Sequence, residues 1–80
     1  MKETDRMTKY FNEKIMPHIK GIQTFETEKE GKWAQYDLKE VDGKTLTYIY
    51  DYFRAHYREV WPGIQKMFNG YIGNIQVKIL

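Results

Sequence analysis

The chain has 80 residues, carries 13 Lys and Arg against 11 Asp and Glu, and contains no cysteine. That length makes a single domain over residues 1–80, with a small interior and no disulfide or Cys-based zinc site to support it. The formal net charge of +2 is spread among nearly as many acids, whereas a dedicated nucleic-acid binder shows a basic stripe.

Residues 3 to 16 read as a helix, because Met7, Tyr10, Phe11 and Ile15 form one apolar stripe. Thr4 is placed to cap it, and Glu3 and Asp5 suit its positive end. Pro17 disfavours helical geometry at Met16, and Gly21 is expected to close the segment. Residues 22 to 28 are a short strand, and the Lys29–Lys32 stretch is a turn. Residues 33 to 41 alternate as a second strand, with Ala34, Tyr36 and Leu38 on one side.

Asp42-Gly43 follows, a strong hairpin signal between two alternating runs. Residues 45 to 50 are all strand-favouring types. Yet Leu46, Ile49, Tyr50, Phe53, His56, Tyr57, Val60 and Trp61 also fit one face of a continuous helix. The hairpin signal tips the reading to a strand ending at Tyr50, with Asp51 capping a helix over 52 to 60. Trp61-Pro62-Gly63 then breaks that helix, residues 63 to 68 form a further helical turn, and Asn69-Gly70 ends it. The last residues, with Ile75, Val77 and Ile79 on one face, form a strand that pairs into the sheet.

The expected fold is therefore α+β. It is a small, mostly antiparallel sheet of three or four strands, with an N-terminal helix and a second helical region on one face, in the order α-β-β-(β)-α-α-β. With a hairpin in register about residues 42 and 43, Trp33, Gln35, Asp37, Lys39 and Val41 share the uncovered face with Lys44, Leu46, Tyr48 and Tyr50. Aromatics rimmed by charges mark a contact surface. Cross-strand stabilisation of the sheet is the simpler use of the same residues. Tyr48 is expected to be accessible whether 45 to 50 is strand or helix.

Chemistry is sparse. With no serine and no cysteine, the two commonest side-chain nucleophiles are missing, and no catalytic pair is visible, so an enzyme is not expected. His56 and Glu59 have a spacing that shares a metal ion, but two ligands are not a site, and neither a metal nor a cofactor is expected. His18 sits at a helix end that favours its cation. Glu26, Glu28 and Glu30 read as a solvated edge that discourages sheet-to-sheet pairing. The Gly70-x-x-Gly73 spacing matches a nucleic-acid backbone clamp only weakly, because it leads into a strand and lacks flanking basic residues. Arg54 and Arg58 lie one turn apart and suit two phosphates or carboxylates, although Asp51 is placed to pair with Arg54.

In size and composition alone, the chain resembles the small accessory proteins of phages and other mobile elements. That likeness transfers no site. The leading expectation is a non-catalytic protein-binding module, an inhibitor or regulator. Its partner surface would comprise Trp33, Lys39, Lys44, Tyr48, Tyr50, Arg54 and Arg58. Single-stranded nucleic-acid binding through sheet-face aromatics is the alternative, opposed by Asp37 at the centre of that face. A homodimer is a sub-case of the first. No secretory leader and no membrane span are expected, and the expected compartment is the cytoplasm.

Overall fold

The computed structural model describes residues 8–79. The predicted cap at Thr4, the acids at 3 and 5, and Met7 of the apolar stripe lie outside that range. The N-terminal segment is helical from residue 8, widens into a π-turn over Phe11–Ile15 and tightens to a 3-10 turn over Met16–His18. Pro17 fits this last turn because it has no N–H to leave unpaired. Ile15 is fully buried, and Phe11 and Met16 pack beside it, so the predicted stripe does face the interior.

Gly21 does not close this helix. The first strand, β1, begins earlier than expected and runs over Ile19–Thr27, with an irregularity in its pairing between Ile19 and Gly21. A three-residue turn follows, in which the Glu30 N–H donates to Thr27 Oγ1 at 2.9 Å. Gly31 then opens the second strand, β2 (Gly31–Val41), at φ 85°, a conformation that needs glycine.

Asp42-Gly43 is not a hairpin turn. Asp42 is the N-cap of helix α1 (Gly43–His56), and its Oδ1 accepts the Thr45 N–H at 2.7 Å. The strand expected at residues 45 to 50 is thus the first half of this helix, and Asp51 lies inside it rather than capping a second one. The 3.6-residue stripe wins because it buries Ile49 and Phe53 completely, with Leu46, Tyr50 and Tyr57 packed alongside. Burial of that kind outweighs the weaker strand preference of Thr, Tyr and Ile.

The helix stops at His56, earlier than predicted. Trp61-Pro62-Gly63 does not separate two helical pieces. It lies within a strand, β3 (Val60–Met67), which pairs with β4 (Gly70–Lys78) through the two-residue loop Phe68-Asn69. Pro62 is tolerated because β3 is an edge strand. Gly73 in β4 has φ 142°, and a Cβ there would collide with the Gly63 carbonyl oxygen across the hairpin. The Gly70/Gly73 pair therefore serves close strand packing, not a phosphate clamp.

The observed order is helical segment, β1, β2, α1, β3, β4. The four strands form one antiparallel sheet in the order β1-β2-β4-β3. β2 and β3 consequently run parallel with β4 between them, and α1 connects them by crossing over β4. The result is a two-layer α+β domain, as the composition and alternation implied. The core is Ile15, Ile19, Ala34, Leu38, Ile49, Phe53, Ile75 and Val77, all between the helices and one sheet face. Among the described residues, the other face carries no helix.

Candidate functional site

The strand registers fix what the uncovered face displays. Directly paired residues in an antiparallel ladder point the same way. Ala34, paired with Val77, faces the core; its neighbour Trp33, paired with Phe25 and Lys78, therefore faces away. The next row across the sheet is Gln23, Gln35, Gln76 and Trp61, and the row after it Gly21, Asp37, Asn74 and Gly63.

One end of this face is aromatic. Phe25, Trp33 and Trp61 line a cleft of about 330 Å³ together with Lys29, Glu30, Glu59, Gln76 and Lys78. Trp33 is its floor, only 8% exposed, with its indole N–H donating to the Glu30 carbonyl at 2.9 Å. Trp61 is a wall, 62% exposed, and Phe25 is 38% exposed. Lys78 Nζ lies 3.4 Å from Glu59 Oε2, so this pair neutralises itself and leaves Lys29 and Glu30 at the rim.

The centre of the face is polar and internally satisfied. Gln76 Nε2 donates to Gln35 Oε1 at 2.9 Å, and Gln35 Nε2 donates to Asp37 Oδ1 at 2.8 Å. Gln23 Nε2 donates to the other oxygen, Asp37 Oδ2, at 3.2 Å. Asp37 thus stands in mid-sheet because amides from β1 and β2 solvate it, which is how a carboxylate tolerates such a position.

The residues predicted to form one surface are divided between two layers. Trp33 belongs to the uncovered sheet face. Tyr48 and Tyr50 belong to α1, on the opposite side of the sheet, because residues 44 to 50 are helix. Tyr48 is not a free contact residue. Its hydroxyl donates to the Lys14 carbonyl at 3.0 Å and sits 2.9 Å from His18 Nε2, tying the N-terminal segment to α1. Partial burial, followed by the nearby Tyr10 and Asp42, raises its pKa.

Tyr50, Arg54 and Arg58 do come together, around a shallow opening that Tyr57 and Val60 complete. The Arg54 guanidinium lies 5.6 Å from the Tyr50 ring centre. The expected Asp51–Arg54 ion pair is not formed, and among the described residues neither arginine meets a carboxylate within 4.0 Å. Lys39 and Lys44 are exposed near the β2–α1 junction, away from both groups. His56 and Glu59 do not share a helix turn, since α1 ends between them, and no group of three or more metal-ligating side chains is found among the described residues.

Sequence reasoning missed Phe25, Trp61, Gln76 and Lys78 as face residues. It also missed Phe68, 101% exposed at the tip of the β3–β4 hairpin. The signal was present in the alternation of Val60, Pro62 and Ile64 with Trp61, Gly63 and Gln65, but proline and glycine concealed it. The rings that do turn outward are Trp61, Phe68, Phe25 and Tyr10 rather than the tyrosines of α1.

Comparison with known protein families, with curated proteins and with solved structures finds no match. No helix among the described residues is long and apolar enough to cross a membrane.

Proposed function

We propose that this chain is a non-catalytic protein-binding module, a cytoplasmic inhibitor or regulator, whose contact surface is the uncovered sheet face around Trp61. The observation that carries this reading is the three-ring cleft of Phe25, Trp33 and Trp61 on a face that no helix of the described residues covers. A rigid strand presents each ring, and tryptophan in a partly desolvated pocket is the residue type that most often anchors a protein contact. The lining charges cancel, two lysines against two glutamates, which suits a mixed protein surface better than a phosphate chain. Of the partner residues expected from the sequence, Trp33 remains in this surface as its floor.

A second reading rests on the same rings. Trp61 and Phe25 are placed to stack bases, with Lys29 and Lys78 beside them, so single-stranded nucleic acid is the competing ligand.

Affinity capture from the host with the wild-type chain and with Trp61→Ala tests the first reading. A specific partner held by the wild type and weakened by about 30-fold or more in the variant supports it. Equal capture by a folded Trp61→Ala variant overturns it. Oligonucleotide titration at two salt concentrations decides the second: tight binding that collapses with salt transfers the cleft to nucleic acid.

A further inference from the structure

The sheet has two edges, and they are not equivalent. The β3 edge carries Pro62 in its middle, where pairing with β4 continues without interruption, so the ring and its missing N–H lie on the outer side. The β1 edge has no proline. β1 is nine residues long, hydrogen-bonded among the described residues to β2 alone, and exposed at every position from Ile22 to Thr27. Beyond the buried Ile19, it bears one exposed large apolar side chain on each side: Ile22, 48% exposed, on the helix side, and Phe25 on the uncovered side. Of the three glutamates read as an edge guard, Glu28 and Glu30 lie in the turn, and only Glu26 is on the strand.

We infer that β1 is a self-pairing edge. Two copies of this chain join antiparallel through it, about a two-fold axis at Gln23, into one eight-stranded sheet. The occupant is a second copy because the strand complements itself in that register. Phe25 of each copy then lies over Gly21 of the other, a pairing in which an aromatic ring covers the bare backbone of an edge glycine. Ile22 meets Thr24 on the helix side. Lys20, at the bulge, is set beside Glu26, so the one acid on the strand finds its counter-charge in the same sequence. Neighbouring symmetric registers are worse: centring on Thr24 sets Ile22 against Glu26, and centring on Phe25 sets it against Glu28. A foreign strand would meet Glu26 without the matching lysine, so the charge that repels other edges selects this one. Both copies keep their helices on one side, and their two clefts face the other. The proposal does not depend on what the cleft binds.

The chain's lack of cysteine makes the test direct. Sedimentation equilibrium of the wild-type chain reads its association state, and single cysteines at Gln23, Thr24 and Phe25 read the register under mild oxidation. In the proposed pairing the two Gln23→Cys positions face each other at about 5 Å, within disulfide reach. Two Thr24→Cys positions are offset by two residues and lie about 8 Å apart, beyond it. The expected result is a reversible wild-type dimer and a covalent Gln23→Cys dimer that forms at least tenfold faster than either neighbour. A chain that stays monomeric up to about 1 mM overturns the proposal. So does a dimer in which Thr24→Cys or Phe25→Cys cross-links as fast as Gln23→Cys.

Discussion

The hydroxyl of Tyr48 is held between the Lys14 carbonyl, at 3.0 Å, and His18 Nε2, at 2.9 Å. With its single hydrogen directed to the carbonyl, a His18 tautomer that carries a hydrogen on Nε2 donates to the phenolic oxygen. Either charge state of the imidazole that carries a hydrogen on Nε2 makes this bond. We expect Tyr48→Phe to cost about 1 kcal/mol of folding stability and to leave partner binding unchanged. Chemical denaturation beside the capture assay checks this, and lost binding with intact stability would return Tyr48 to the contact surface.

Asp42 governs where α1 begins. Hydrogen bonding to Thr45 is the main cause of its lowered pKa, with Lys44 and His18 adding to it. A depressed folded value means the cap stabilises the fold above the unfolded carboxylate range, and that contribution fades as pH falls through the folded value. Asp42→Ala should lower the melting temperature at neutral pH, and the gap to wild type should narrow in acid, while Asp42→Asn, which still accepts the Thr45 N–H, should stay close to wild type. Thermal melts by circular dichroism across acidic pH measure both.

Tyr36 faces Phe53, with ring centres 4.8 Å apart, inside the helix–sheet interface. Burial, with the neighbouring phenols Tyr57 and Tyr52 adding to it, pushes its pKa from 10.0 to about 12. A raised folded value contributes stability that is complete below the unfolded value and disappears as pH climbs through the folded one. The fold should therefore weaken between about pH 10 and 12. Phenolate absorbance should show a late-titrating tyrosine that Tyr36→Phe removes, and an unchanged titration in that variant would assign the late group elsewhere.

The chain's two tryptophans both line the cleft. Emission should therefore combine a blue-shifted component from buried Trp33 with a red-shifted one from exposed Trp61. Trp61→Phe should leave the blue component alone, and a ligand seated in the cleft should quench or shift the red one. A bound partner that leaves tryptophan emission unmoved in the wild type would place the contact on another surface.

Phe53 is fully buried beneath Phe11, Tyr36 and Tyr57. Phe53→Ala should cost about 3–5 kcal/mol, a large part of what a domain this size possesses. Urea denaturation should give a chain close to unfolded, whereas a small shift in midpoint would mean the helix packs less closely on the sheet than described.

How much of this was legible depended on which local signals had a single meaning. The alternation of Ala34, Tyr36 and Leu38 has one reading, and β2 came out as expected. Asp42-Gly43 has two: the same aspartate that initiates a tight turn also caps a helix, and the choice rests on the stripe from Leu46 to Phe53 beyond it. Trp61-Pro62-Gly63 misled for a different reason. Proline and glycine argue against a central strand but not against an edge, and which strand lies at an edge is decided by long-range pairing with β4. The candidate site shared this fate. Trp33 was recognised because its strand was, while Trp61, ten residues beyond Asp51, was invisible as a face residue until β3 had a register.

Pro62 has a bearing beyond its own strand. A sheet that offers a docking edge on both flanks can grow without limit into fibres, whereas one sealed flank makes strand addition terminate. Once a single newcomer has joined at β1, the outer borders of the assembly are the two proline-bearing strands, and nothing further can zip on. The pyrrolidine ring at the far side of the molecule thus sets the size of whatever forms at the near side.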